Sequence, residues 1–223
     1  MVITVTLRHN YCFKMTKKSL HTNNTKDTRM RLQLAQEAAR LIAEEGIKDF
    51  HAAKQKAALR LHAPHTHNLP RNDEVQHALK QYQRLFKENS QPQHLRHLRK
   101  AAHKLMTFFE SFEPRLVGSV VDGSANEHSD INLHLFADSV EEISIFLINQ
   151  HIPYELESQY ITQTNGDAIE LPGFSLIFED IDVQLTIFEC KELHHAPRCP
   201  INGKPMQRVN INRIDELLQQ SSN

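Results

Sequence analysis

A chain of 223 residues, 39% hydrophobic and 24% charged with a formal net charge of -1, suits one sizeable domain or a helical module joined to a compact one. It excludes a peptide-sized scaffold and a wholly disordered chain. No stretch approaches the roughly 18 to 20 consecutive apolar residues of a membrane-spanning helix, residues 1–7 are too short and polar for a secretory core, and Cys12, Cys190 and Cys199 are too scattered for a disulfide framework, so a reducing, cytoplasmic setting without membrane insertion is expected.

Residues 1–29 carry Lys14, Lys17, Lys18, Lys26 and Arg29 against the single acid Asp27, with little apolar periodicity, and are expected to form a flexible basic tail. That composition is acid-poor in the manner of an organelle transit peptide, with Met15 and Met30 as alternative translation starts. From Arg31, Leu32, Leu34, Ala35, Ala38, Ala39, Leu41, Ile42 and Ala43 recur at helical spacing up to a stop at Gly46. A second helix is predicted over 48–61 with Phe50, Ala53, Ala57, Ala58 and Leu61 on its apolar side, broken by the Pro-bracketed loop 62–70. Asn72 and Glu74 suit the start of a third, traced by Val75, Leu79, Tyr82 and Phe86. After Pro92, Leu95, Leu98, Ala102, Leu105, Met106 and Phe109 predict a fourth whose outer face carries Arg96, Arg99, Lys100 and Lys104.

Past Pro114 the period shortens. Residues 115–118 read as a strand running into a glycine turn, and 131–136 as an alternating strand. A helix over 139–150, strands over 154–161, 168–178 and 181–188, and a terminal helix over 211–219 complete the pattern. Helices first and strands second give an α+β class: a tail (1–29), a basic helical region (30–111) and a mixed β-sheet domain with flanking helices (112–223). Charge divides the same way. Residues 1–110 hold 20 Lys and Arg against 9 Asp and Glu, and residues 111–223 hold 6 against 18. Two explanations are open: mutual attraction of the halves, or a basic surface for a polyanion beside an acidic, metal-binding site.

The stretch 116–133 carries the chemistry. A strand ends in Gly118-Ser119, a small-residue turn follows, and Asp130 opens another strand. A glycine there lets backbone approach a polyanion without a Cβ in the way, and a helix beginning at Ser119 aims free N–H groups at a phosphate. Strand alternation places Asp130 and Asn132 on one face, so two oxygen-bearing side chains can reach the same ion.

With Gly118, Ser119, Gly123, Ala125, Ser129, Asp130, Ile131 and Leu133 where the motif asks, the region 112–190 resembles the nucleotidyltransferase superfamily, whose members include DNA polymerase beta and the small MNT proteins. The resemblance implies a Mg²⁺-dependent transfer of a nucleoside monophosphate from a nucleoside triphosphate to an acceptor. It assigns Gly118 and Ser119 to the nucleotide phosphates and Asp130, Asn132 and Asp182 to metal, with Asp130 and Asp182 as the catalytic carboxylates. The third carboxylate comes from Ile181-Asp182-Val183-Gln184-Leu185, with Asp180 in reserve. Asn132 departs from the pattern, which has a carboxylate there; an amide ligates without bringing charge. Asp122 adds negative charge near the phosphate entry. The alternative is therefore a catalytically degenerate relative that kept the fold as a binding or regulatory module, possible partners including RNA on the basic helices.

Other motifs are weaker. His65 and His67, and His194 and His195 ahead of Cys199, lack zinc-site spacing on a defined scaffold. Arg96 and His103 reproduce the Arg, six residues, His spacing of HEPN ribonucleases in a chain with 15 histidines. Lys80, Arg84, Lys87, Arg96, Arg99, Lys100 and Lys104 form either a nucleic-acid patch or a salt-bridging face.

Overall fold

Ile131, Leu133 and Leu135 on one strand and Val183, Leu185 and Ile187 on another are all buried in a common core, so their alternate neighbours face the opposite side of the sheet. The computed structural model, which describes residues 22–220, gives an α+β fold of seven helices and five strands among those residues. The strands are β1 (Arg115–Val117), β2 (Ile131–Phe136), β3 (Glu155–Thr162), β4 (Ala168–Phe178) and β5 (Ile181–Phe188), in the order β1-β2-β5-β4-β3. Only β2 and β5 pair in parallel, with Ile131 opposite Val183 and Asn132 opposite Gln184. That crossover makes room for α6 (Val140–Asn149), which covers the core face through Ile143 and Leu147.

Helix α1 (Thr22–Glu45), α2 (Phe50–Arg60) and α3 (Asn72–Phe86) form a separate unit with its own core of Leu34, Ala38, Leu41, Ala53, Ala57, Val75 and Leu79. The expected tail differs from what is seen. Residues 1–21 lie outside the described residues, and 22–29 are the first turns of α1, since no Gly or Pro interrupts the helix that the apolar stripe nucleates. Arg31 donates to Glu74 at 2.6 Å and ties α1 to the start of α3.

The boundary expected at residue 111 also falls differently. Helix α4 (Ser90–Phe108) buries Leu98, Ala102, Leu105 and Met106 in the sheet core with α5 (Ser119–Asp122) and α7 (Ile211–Gln220). The chain therefore changes unit between α3 and α4. The α1–α3 unit is held to the loop after α5 by side-chain amides donating to backbone carbonyls: Gln83 to Ser124 at 2.7 Å and Asn126 to Ile42 at 3.3 Å. Gln91, at the start of α4, secures the same loop from the sheet side by donating to Gly123 and Ala125 at 2.9 Å.

Gly173 in β4 is required by close approach. A Cβ there would lie 2.7 Å from the Leu185 carbonyl oxygen and 2.9 Å from the Gln159 side chain. The backbone oxygen cannot move without breaking the β4–β5 pairing. Gly173→Ala is therefore expected to lower stability by about 1 to 3 kcal/mol in urea unfolding; an unchanged midpoint would contradict this account of the strand contact.

Candidate functional site

The face of the sheet opposite the core carries Asp130, Asn132 and His134 at β2 and Asp182, Gln184 and Thr186 on β5, in parallel register. Parallel pairing thus brings together two aspartates 52 positions apart in the sequence. Both meet Lys48, from the linker between α1 and α2: its Nζ lies 2.5 Å from Oδ1 of Asp130 and 3.3 Å from Oδ2 of Asp182. Asp130 is largely enclosed, its side chain 16% exposed, whereas that of Asp182 is 62% exposed. Burial pulls the Lys48 ammonium down, and the hydrogen bonds and charges of Asp130 and then Asp182 more than offset it, leaving its pKa raised.

Asp180, the reserve, belongs to the β4–β5 turn with a backbone φ of +63° and does not share the strand alternation that places Asp182. Asn132 donates from Nδ2 towards the Asp130 carbonyl at 3.5 Å, and its Oδ1 has no partner among the described residues. Gly118, at φ +80°, precedes the single turn of α5 and faces Asn132, whose Nδ2 lies 3.8 Å from where a Cβ would stand. Ser119 opens that turn, where helical geometry leaves the first N–H groups without intrahelical partners.

Asp122 lines the same cleft as Gly118 and Ser119, with its carboxylate engaged within the chain. Its Oδ1 accepts from its own turn at Ser124 N, 2.9 Å away, its Oδ2 accepts from Gln76 at 2.8 Å, and Lys80 stands 3.4 Å off, so its charge is engaged by α3.

These groups line a cleft of about 520 Å³ between the sheet and the α1–α3 unit, containing Gly118, Ser119, Asp130, Asn132 and Lys48. Asp182 borders a second cleft of about 770 Å³, and Lys48 and Asp130, with Gly46, Asn126, His128 and Ser129, line both. Hard oxygen donors around a cation already seated between two carboxylates suit Mg²⁺, and Asp130, Asp182 and Asn132 are the residues that would hold it. Among the described residues no group of three or more His, Cys, Asp and Glu side chains is arranged to hold a metal ion. The loop histidines therefore remain outside any such cluster.

Sequence reasoning missed Lys48, His134 and Arg208. Arg208 donates from Nε to Nδ1 of His134 at 3.0 Å, donates from Nη1 to the Glu192 carbonyl at 2.7 Å, and stacks 4.4 Å from the Phe188 ring centroid. Burial lowers the Arg208 pKa to about 10, and burial with the Arg208 charge lowers that of His134 to about 3. The strand alternation of β2 was the one signal that pointed at His134.

Much of the basic face is already paired. Lys80 meets Asp122, Lys104 donates to Glu179 at 2.6 Å, His103 lies 3.1 Å from Asp215, and Arg99 is buried with Nε donating to the Val120 carbonyl at 3.2 Å. No helix among the described residues is long and apolar enough to cross a membrane.

The buried imidazole makes stability depend on pH. Its folded pKa of about 3 lies below the ordinary 6.5, so its contribution is complete above pH 6.5 and is lost as pH falls towards 3, because only the unfolded chain readily takes the proton. Between pH 7 and pH 5 this amounts to roughly 2 kcal/mol. Urea unfolding at the two pH values should show a smaller loss in His134→Gln than in the wild type; equal losses would exclude the assignment. Comparison of the chain with protein-family models, curated protein sequences and solved structures finds no match.

Proposed function

We propose that the cleft binds a nucleoside triphosphate with Mg²⁺ and that the protein is a nucleotidyltransferase acting on an acceptor yet to be identified. The observation that carries this reading is the meeting of Asp130 and Asp182 on the Lys48 ammonium, with Lys48 and Asp130 lining the same cleft as Gly118 and Ser119. Bound Mg²⁺ would supply neutralisation of phosphate charge. The chain's own groups divide the remaining work. Gly118 leaves room for phosphate oxygens to approach backbone, and the Ser119 hydroxyl and N–H are donors for them. Asp130 and Asp182 hold the cationic seat, and the Oδ1 of Asn132, without a partner among the described residues, is a neutral oxygen that could ligate a cation. Lys48, 56% exposed along its side chain, has the freedom to leave the carboxylates and pair with phosphate.

A second reading, a catalytically degenerate binding module, is favoured by one specific pair of facts. Lys48 supplies a cation from within the chain, and Asn132 removes a charge that a pair of divalent ions would use. In that case the ammonium is the permanent occupant and nucleotide binding needs no metal.

Two measurements separate these readings. Calorimetric titration with ATP, CTP, GTP and UTP should show Mg²⁺-dependent binding of at least one, weakened on the order of tenfold or more by Asp130→Ala, as expected on losing a charged ligand. Absence of metal-dependent binding for all four removes the first reading. Lys48→Met should lower the Mg²⁺ concentration that half-saturates nucleotide binding by roughly three- to tenfold, because the metal no longer competes with an ammonium. Metal-independent binding that Lys48→Met abolishes would instead establish the second reading, whereas labelled nucleotide entering an RNA, protein or small-molecule acceptor, and lost in Asp182→Ala, would eliminate it.

A further inference from the structure

Four residues beyond Asp130 along the same face of the sheet, about 13 Å at strand rise, His134 lies at the floor of the cleft with only 4% of its surface exposed. Its Nδ1 accepts from Arg208 Nε at 3.0 Å. A guanidinium donates and never accepts, so Nδ1 must carry a lone pair and the ring proton resides on Nε2. Arg208 is fixed in turn by the carbonyls of Glu192 at 2.7 Å and His195 at 3.1 Å and by the rings of Phe188 and Phe136. Arg208 Nη2 is buried without a hydrogen-bond partner, so the fold carries an unsatisfied donor to keep this arrangement.

The Nε2–H of His134 has no hydrogen-bond partner among the described residues and is not among their enclosed, unsatisfied atoms, which leaves it open to the cleft. Thr186 is its register partner on β5 and lines the same floor. The lining of the same cleft also includes the apolar side chains of Ile161, Ile201 and Met206. A fixed, neutral donor in a cleft that also offers apolar side chains suits a flat, uncharged ring with an acceptor on its edge, whereas phosphate is better served by Lys48 and the Gly118–Ser119 turn.

Building on the nucleotide-binding reading of this cleft, we propose that His134 is a specificity-determining residue that recognises the nucleobase by donating its Nε2–H to a carbonyl oxygen or ring nitrogen, with Thr186 beside it. Arg208 is the positioning residue that sets the tautomer.

The test compares Mg²⁺ tripolyphosphate with the four nucleoside triphosphates. Wild-type protein should bind at least one nucleotide more tightly than tripolyphosphate. His134→Leu should weaken that nucleotide by about three- to tenfold, the worth of a neutral hydrogen bond, and leave tripolyphosphate unchanged. His134→Gln, which can accept from Arg208 and still donate, should restore most of the difference. In wild-type protein the ¹⁵N resonance of His134 Nε2 should report the Nε2–H tautomer and move on adding nucleotide but not tripolyphosphate. That signal serves if the leucine variant does not fold.

Equal weakening of nucleotide and tripolyphosphate, or a His134 resonance that nucleotide leaves unmoved, would overturn the proposal. Tripolyphosphate binding with no gain from the nucleoside overturns it while the phosphate site stands; binding of neither overturns both.

Discussion

Two carboxylates on adjacent parallel strands repel one another, and Lys48 is what makes their proximity tolerable. Asp130 is too enclosed for water alone to screen it, so an ammonium 2.5 Å away contributes more here than in an exposed pair. Because Lys48 comes from the α1–α2 linker, the same contact joins the helical unit to the sheet across 82 and 134 positions of sequence. The cation seat and the alignment of the two units are thus one constraint. A change in what occupies the seat bears directly on how the helical unit sits over the cleft.

The rest of that interface has a matching character. Side-chain amides of Gln76, Gln83 and Asn126, together with Lys80, hold the α1–α3 unit to the segment from Asp122 to Asn126 and its surroundings, with little apolar surface shared between the two cores. Polar junctions of this kind are typical of units that shift relative to one another, because each bond can be exchanged for one to water at small net change. The opposite net charges of the two halves appear here as local pairs: Lys80 with Asp122, Lys87 with Glu127, Lys104 with Glu179. Attraction between the halves accounts for these basic residues through contacts within the molecule.

The elements were legible in the sequence because each rests on a local rule. The alternation of 131–136 and 181–188 identified both strands and put Asp130, Asn132 and Asp182 on definite faces, and Gly118 marked a turn that its positive φ requires. Long-range partners were not legible. Nothing around Lys48 distinguishes it from a solvated lysine after a helix stop at Gly46, since its partners are created by the docking of α1–α3 on the sheet. Arg208 is equally hidden, in a loop whose path places it under Phe136 and Phe188. Helix α4 shows the same limit: its apolar stripe was visible, but a stripe does not say which core it enters.

What the strand face does show is an ordering by burial. The exposed Asp182 and the largely enclosed Asp130 come first along the strands, then Asn132 and Gln184, then the buried His134 and Thr186, and last the buried Phe136 and Phe188. The enclosed Asp130 and the exposed Asp182 share the Lys48 ammonium, neutral hydrogen-bonding groups follow along the strands, and the aromatic pair then covers the half-buried Arg208 guanidinium. Asn132 fits this gradient on physical grounds alone. A carboxylate at its position would face Asp130 and Asp182 with Lys48 as the cation that meets them among the described residues, whereas an amide keeps an oxygen ligand without adding to the repulsion. The same residue that weakens the case for a pair of metal ions therefore lets the chain hold the cleft together before any ligand arrives.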